Sequence, residues 1–128
     1  MSQTIATVAL VVPDYEAGIA FYCGALGFTL LEDTDMGGGK RWVLVGPTGG
    51  GTRLLLARAA DEKQAAAIGN QTGGRVGFFL ETDDFARDHA AFTRAGVSFA
   101  ESPRHEAYGS VAVFEDLFGN KWDLIQPR

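Results

Sequence analysis

The sequence has a single cysteine, Cys23, among its 128 residues. One thiol cannot form an intramolecular disulfide, so a secreted scaffold held together by disulfides is excluded. No apolar run approaches the roughly 18 to 20 residues that a membrane-spanning helix needs. The sequence also shows neither the basic start nor the small-residue cleavage site of a signal peptide. We therefore expect a cytoplasmic protein with no membrane partner.

Basic residues are scarce as well. Lysine and arginine number 11 against 16 aspartates and glutamates, for a net charge of -5, and the longest basic cluster is Lys40-Arg41. A phosphate backbone or an anionic membrane surface would be repelled, so nucleic acid is excluded as a partner. An acidic protein of this kind is compatible with a cationic ligand.

The composition is otherwise that of a globular domain, with 46% hydrophobic and 21% charged residues. A chain of this length has room for one hydrophobic core of ordinary size, so residues 1–128 are predicted to form a single domain. The 17 glycines are more than average usage would supply. Most of them fall where the patterns below predict helix ends and hairpins.

The first half of the chain has the pattern of one strand, one helix and three further strands. A β-branched run over residues 4–12 predicts a strand, and Asp14 is a natural N-cap for the helix after it. Apolar residues then recur at helical spacing: Tyr15, Ile19, Tyr22 and Leu26. Strands are predicted at residues 28–32, 40–45 and 53–58, with turn-rich segments at 33–39 and 46–51 between them.

The second half repeats this order at an offset of about 70 residues. A strand at 76–82 leads to the cap Asp84 and to a helix with Phe85, His89 and Phe92 on one face. Strands follow at residues 97–100, 110–114 and 121–126. The repetition indicates an internal duplication of a βαβββ module, at about 4–58 and 76–127. Residues 59–75 are the linker, and their alanine-rich start predicts a short helix.

Three segments resemble the vicinal oxygen chelate superfamily, which includes glyoxalase I, extradiol dioxygenases, and fosfomycin- and bleomycin-resistance proteins. They are VVPDYEAGIAFYCGALGF at 11–28, FFLETDDFARDHAAFTRAGVSF at 78–99 and VFEDLFGNKWDLIQP at 113–127. The resemblance implies an α+β fold in which two βαβββ modules form a curved mixed sheet, as half-barrels around a cavity, with the helices outside. It also implies a homodimer.

The resemblance further implies a test for a metal centre. Enzymatic members of the superfamily chelate a divalent metal with His and Glu side chains from four strands. The corresponding positions here are Thr7, Leu55, Gly77 and Asp123. Only Asp123 can bind a metal, and the neighbours of the other three positions are not ligands either. We therefore expect no metal centre of the family type and no cofactor.

Strand alternation, anchored on those positions, predicts which side chains face the cavity. Trp42, Tyr108 and Phe114 fall near its rim, with a facing that the pattern does not fix. The predicted ligand-binding residues are Thr7, Trp42, Arg53, Leu55, Phe79, Tyr108, Phe114 and Asp123. A lining that is mostly apolar and aromatic with a few polar groups is typical of a small-molecule pocket.

For some of these residues a purely structural role is as compatible with the sequence as ligand binding. Arg53 and Asp123 could form an ion pair with each other, and Trp42 could belong to the core. His89 is interpreted as a half-buried helix histidine. His105 is predicted in a loop, where general acid or base catalysis is conceivable.

The main functional hypothesis is therefore binding of a small aromatic or planar molecule in an apolar cavity, without a metal. The alternative is a metal-dependent lyase or dioxygenase of the glyoxalase I or extradiol type. A third hypothesis is metal-free isomerase or lyase chemistry with Asp123 or His105 as the base. Whether the protein is an enzyme is left open by the sequence.

Overall fold

The computed structural model describes residues 2–128 and divides the chain into two compact units, with the boundary between Ile68 and Gly69. Each unit contains one mixed β-sheet with helices packed on it. Among the described residues, no helix is long and apolar enough to cross a membrane. That the two units together make one domain stays a prediction.

The first unit follows the predicted order of one strand, one helix and three strands. Its elements are β1 (Thr7–Val12), α1 (Tyr15–Ile19), a π-helical segment (Ala20–Ala25), β2 (Thr29–Gly37), β3 (Lys40–Gly46), β4 (Arg53–Arg58) and α2 (Glu62–Ala67). The strand order in the sheet is β1-β4-β3-β2, and only β1 and β4 run parallel. The short helix α2 confirms the helix predicted at the start of the linker.

The second unit repeats the arrangement. Its elements are β5 (Val76–Glu81), α3 (Phe85–Arg94), β6 (Ser98–Phe99), β7 (Arg104–Glu106), β8 (Gly109–Glu115) and β9 (Lys121–Pro127). The strand order is β5-β9-β8-β6, with a parallel pair β5–β9 that matches β1–β4, and β7 also pairs with β8. The predicted α+β fold with two duplicated βαβββ modules is confirmed.

In each unit, alternate strand residues pack under the helix. In the first sheet Leu10, Val12 and Leu56 are fully buried. Gly18 of α1 lies so close to this sheet that a Cβ there would be 2.9 Å from the Cδ1 atom of Leu56. Glycine is therefore what allows α1 to approach β4.

The first helix is not uniformly α-helical, which corrects the prediction. The N–H of Leu26 donates to the carbonyl of Phe21, five residues earlier, at 3.0 Å. This wider hydrogen-bond spacing is that of a π-helix. Tyr22 and Leu26 are both buried in the core. Their spacing of four residues also fits a regular α-helix, so the apolar pattern alone does not reveal the π-helical segment.

Two predicted loops are partly strand. Residues 33–37 continue β2, because they pair with β3 as far as Gly37 opposite Lys40, and only Gly38 and Gly39 form the turn, both with positive φ. His105, predicted in a loop, lies in β7 and pairs with Ser110. Three polar residues carry too little alternation to reveal such a strand.

The hairpin between β8 and β9 is built around the carboxylate of Asp116. It accepts hydrogen bonds from the backbone N–H of Phe118, the backbone N–H of Asn120 and the side-chain amide of Asn120, at 2.9, 2.9 and 2.8 Å. Among the described residues, Asp116 and Asn120 are buried polar residues. The closing D-x-x-G-N motif therefore has a structural role in this protein.

Candidate functional site

A cleft opens in the first unit where β3 and β4 separate. The ladder between them pairs Val45 with Leu54 and Leu44 with Leu55, and no pair follows toward the start of β3. The space beyond has a volume of about 570 Å³. Its walls are Lys40–Trp42 on one side and Leu55–Ala60 on the other, with Tyr15 and Gln64 completing it.

Tyr15 supports the wall formed by β3. The backbone N–H of Arg41 donates to the Tyr15 hydroxyl at 3.1 Å, in place of a strand partner. Tyr15 is otherwise buried, as expected for an aromatic ring that packs in the core and finds a partner for its hydroxyl. The Arg41 N–H therefore has a hydrogen-bond partner although the two strands separate here.

Two guanidinium groups lie over the Tyr15 ring. The Cζ atoms of Arg41 and Arg58 are 5.2 and 5.3 Å from the ring centroid, within cation–π range. Arg41 also forms ion pairs with Asp33 and Glu16, each at 2.6 Å. The hydrogen bond from Arg41 holds the pKa of the Asp33 carboxyl below its usual range.

Trp42 and Leu55 are the two predicted ligand-binding residues that the cleft contains. Trp42 is 38% exposed and Leu55 is half-buried. Thr7 and Arg53 lie opposite each other in the β1–β4 ladder, and the Nε of Arg53 donates to the carbonyl of Ala6 at 3.4 Å. Both are half-buried and lie outside the cleft lining.

The second unit contains three further residues that were predicted to bind ligand, and two of them are exposed. Phe79 is 60% exposed and Tyr108 is 55% exposed. Asp123 lies between Phe79 of β5 and Val113 of β8 in the sheet. One of its carboxylate oxygens is buried and accepts no hydrogen bond from the described residues. Burial raises the pKa of the Asp123 carboxyl, Arg104 opposes this, and Glu101 adds to it.

A pH-dependent stability follows from Asp123. Because its pKa is higher in the folded state, the folded protein holds the proton more tightly, and the free energy of unfolding falls as the pH rises from 3.8 through the folded pKa. We expect Asp123→Asn to be more stable than the wild type near neutral pH, by a margin that shrinks on acidification. Urea unfolding at about pH 7 and about pH 4 measures this.

Asp33→Asn is the control, because the pKa of the Asp33 carboxyl is lowered, and its effect on stability should have the opposite sign. An equal stability margin at both pH values for Asp123→Asn would contradict the prediction.

Phe114 is placed differently from its expected position near the rim. Its side chain is fully buried, with ring centroids 5.5 Å from Phe92, 5.8 Å from Phe99 and 5.8 Å from Trp122. A ligand could reach this ring only after the second core had been repacked. We therefore leave Phe114 out of the proposed site.

The two histidines occupy unlike surroundings. His89 is half-buried between the rings of Phe85 and Phe99, as its interpretation as a helix histidine predicts. His105 is exposed, and its Nδ1 lies 2.9 Å from the Ser110 hydroxyl.

Comparison with known proteins identifies the family. The model of the Glyoxalase/Bleomycin resistance protein/Dioxygenase superfamily matches residues 4–124, which is nearly the whole chain. The chain belongs to this superfamily. An uncharacterized protein of Shewanella frigidimarina (strain NCIMB 400) is 52% identical over 128 residues, which cover 98% of this chain and 95% of the relative.

Solved structures of similar proteins share the fold along their whole length. UcmS2 is 27% identical with a TM-score of 0.83, and the match covers 98% of both chains. TnmS3, an antibiotic binding protein from Streptomyces sp. CB03234, is 31% identical with a TM-score of 0.78, and the match covers 100% of this chain and 98% of that one. The glyoxalase and bleomycin-resistance superfamily thus includes an antibiotic-binding relative of this chain.

The residues at the superfamily's metal-ligand positions do not fit a metal ion. Within each unit, the described residues contain no group of three His, Cys, Asp or Glu side chains that could hold one. Gly77, at the third position, is packed against Thr72, and a Cβ there would lie 2.3 Å from its Cγ2 atom. A ligating side chain at residue 77 would therefore have to displace Thr72, and we derive no metal-dependent step.

Most of the cleft lining was not assigned to the site from the sequence, including its polar and aromatic residues Tyr15, Lys40, Arg41, Arg58 and Gln64. Tyr15 was interpreted only as a member of the apolar helix face. A usable signal was present at Arg58, because strand alternation places its side chain on the helix-facing side with Leu54 and Leu56. The Arg58 side chain is exposed there, and its guanidinium lies over the Tyr15 ring.

Proposed function

We propose that this protein binds a small planar aromatic molecule in the cleft of the first unit, without a metal centre of the superfamily type. The observation that carries the proposal is the cleft itself, which combines Trp42, Tyr15 and Leu55 in a volume of about 570 Å³. Small-molecule sites typically have about 300 to 1,000 Å³, with apolar and aromatic walls and a few polar groups.

The relative TnmS3 supports the choice of ligand class. Its description as an antibiotic binding protein concerns a chain that is 31% identical over the full length of this one. Because a shared fold does not fix an activity, the proposal for this chain depends on its own cleft residues. The aromatic side chains of Tyr15 and Trp42 in the cleft lining are suited to contact with a planar aromatic molecule.

The test is a thermal-shift screen of antibiotics and aromatic acids, followed by calorimetric titration of each compound that stabilises the protein. For such a compound we expect Trp42→Ala to weaken binding about tenfold, because it removes both the apolar area and the ring-stacking contact. Trp42→Phe keeps an aromatic ring and should retain most of the affinity. Equal affinity in the wild type and Trp42→Ala would contradict a site in this cleft.

A matched control lies in the second unit. Phe79 is an exposed aromatic residue that was also predicted to bind ligand. If the cleft of the first unit is the site, Phe79→Ala should bind as the wild type does. A loss of affinity in Phe79→Ala, Tyr108→Ala or Asp123→Asn would instead assign binding to the predicted residues of the second unit.

The metal-free part of the proposal has its own test. Elemental analysis of protein purified without chelators should find no stoichiometric Zn, Ni, Fe or Mn. A stoichiometric metal would favour the alternative of a lyase or dioxygenase. The homodimer and the cytoplasmic location stay predictions.

A further inference from the structure

The local charge of the cleft differs from that of the chain. Arg41 forms ion pairs with two acids, Asp33 and Glu16. In the described part of the first unit, neither Lys40 nor Arg58 forms an ion pair, although both line the cleft. The three cations and the two acids together leave one net positive charge at the cleft, in a protein with a net charge of -5.

Arg58 is exposed and has neighbours on two sides. Its guanidinium lies over the Tyr15 ring, and a Cβ at Gly39 would be 3.3 Å from its Nη2 atom. Glycine at residue 39 thus leaves the room that the guanidinium occupies. The Arg58 guanidinium contacts the face of the Tyr15 ring and donates no hydrogen bond to another described residue, so its N–H groups stay available to a ligand.

We propose that the molecule bound in this cleft is an aromatic anion, whose carboxylate or similar oxyanion is bound by Arg58. The inference rests on the proposed function and narrows its ligand class. A planar guanidinium fork matches a carboxylate with two parallel hydrogen bonds, and Lys40 adds a second positive charge beside it. The aromatic part of the same ligand then contacts Trp42 and Leu55.

The acidic residues near the cleft do not favour a cationic ligand instead. Asp33 and Glu16 both already accept hydrogen bonds from the guanidinium of Arg41, which lines the cleft. A cationic ligand would have to compete with Arg41 for them. The net charge of the chain is compatible with a cationic ligand, whereas the charges at the cleft favour an anion.

Three probes of one shape test the proposal: anthracene-2-carboxylate, anthracene-2-carboxamide and 2-anthrylmethylammonium. Calorimetric titration should show the carboxylate binding at least about tenfold more tightly than the amide, with the ammonium weakest. Raising the salt concentration should reduce the advantage of the carboxylate. An equal affinity for all three probes, or a preference for the ammonium, would overturn the inference and leave the proposed function standing.

Variants assign the effect to Arg58. Arg58→Gln should lower affinity for the carboxylate about tenfold and leave affinity for the amide nearly unchanged, whereas Arg58→Lys should fall between Arg58→Gln and the wild type. Arg94→Gln, at an exposed arginine near the end of α3, makes the same change in net charge and should bind as the wild type does. Carboxylate affinity that is unchanged in Arg58→Gln overturns the inference. If none of the probes binds, the proposed function fails as well.

Discussion

Replacing Phe114 with alanine should lower the free energy of unfolding by about 3 to 5 kcal/mol. The ring is fully buried among Phe92, Phe99 and Trp122, so its removal leaves a cavity that the surrounding strands and helix can close only in part. The loss combines the transfer free energy of the ring with the contacts that its neighbours no longer make. Urea unfolding followed by tryptophan fluorescence measures it.

Phe79→Ala is the matched control for that loss. The same side chain is removed from the same sheet, at a position that is 60% exposed. Its stability should stay close to that of the wild type, because little apolar area leaves the core. Similar losses in the two variants would show that the phenylalanines do not divide into a core residue and a surface residue as the structure has them.

Asp116→Ala is expected to cost about 2 to 4 kcal/mol. The substitution removes the acceptor of three hydrogen bonds and leaves the backbone N–H and side-chain amide of the buried Asn120 without their partner. An unsatisfied buried donor costs its full desolvation free energy, which is why the expected loss exceeds that of an ordinary hydrogen bond. Chemical denaturation curves give the difference.

Asp83→Ala controls for the loss of a negative charge in the same unit. Its side chain is 87% exposed and forms a surface ion pair with Arg87. Such pairs contribute little, so stability should be nearly unchanged. If Asp116→Ala were as mild as Asp83→Ala, the D-x-x-G-N hairpin would not depend on the carboxylate.

The order of elements could be predicted because it depends on local patterns. The bounds of β4, Arg53–Arg58, agree with the prediction, and the caps Asp14 and Asp84 each accept a hydrogen bond from a backbone N–H of the first helical turn. What escaped prediction depends on partners elsewhere in the chain. The extension of β2 requires β3, and β7 exists because β8 offers it an edge.

The candidate site was predictable to a smaller extent for the same reason. Trp42 and Leu55 were found because strand alternation and residue type mark them. Arg58 and Tyr15 are brought together by the packing of α1 against β4, a tertiary contact that no local pattern encodes. Phe114 was predicted near the rim, and its facing was left open. That facing depends on the register of β8, which is set by pairing with β9.

The hydrogen bond between the Arg41 N–H and the Tyr15 hydroxyl has a consequence for binding kinetics. The two strands are held apart before any ligand arrives, so entry breaks no bond of the sheet and requires no opening step. Association is then governed by encounter and orientation, without a conformational step that would slow it. Ligands of this cleft should accordingly differ in how long they stay rather than in how fast they arrive.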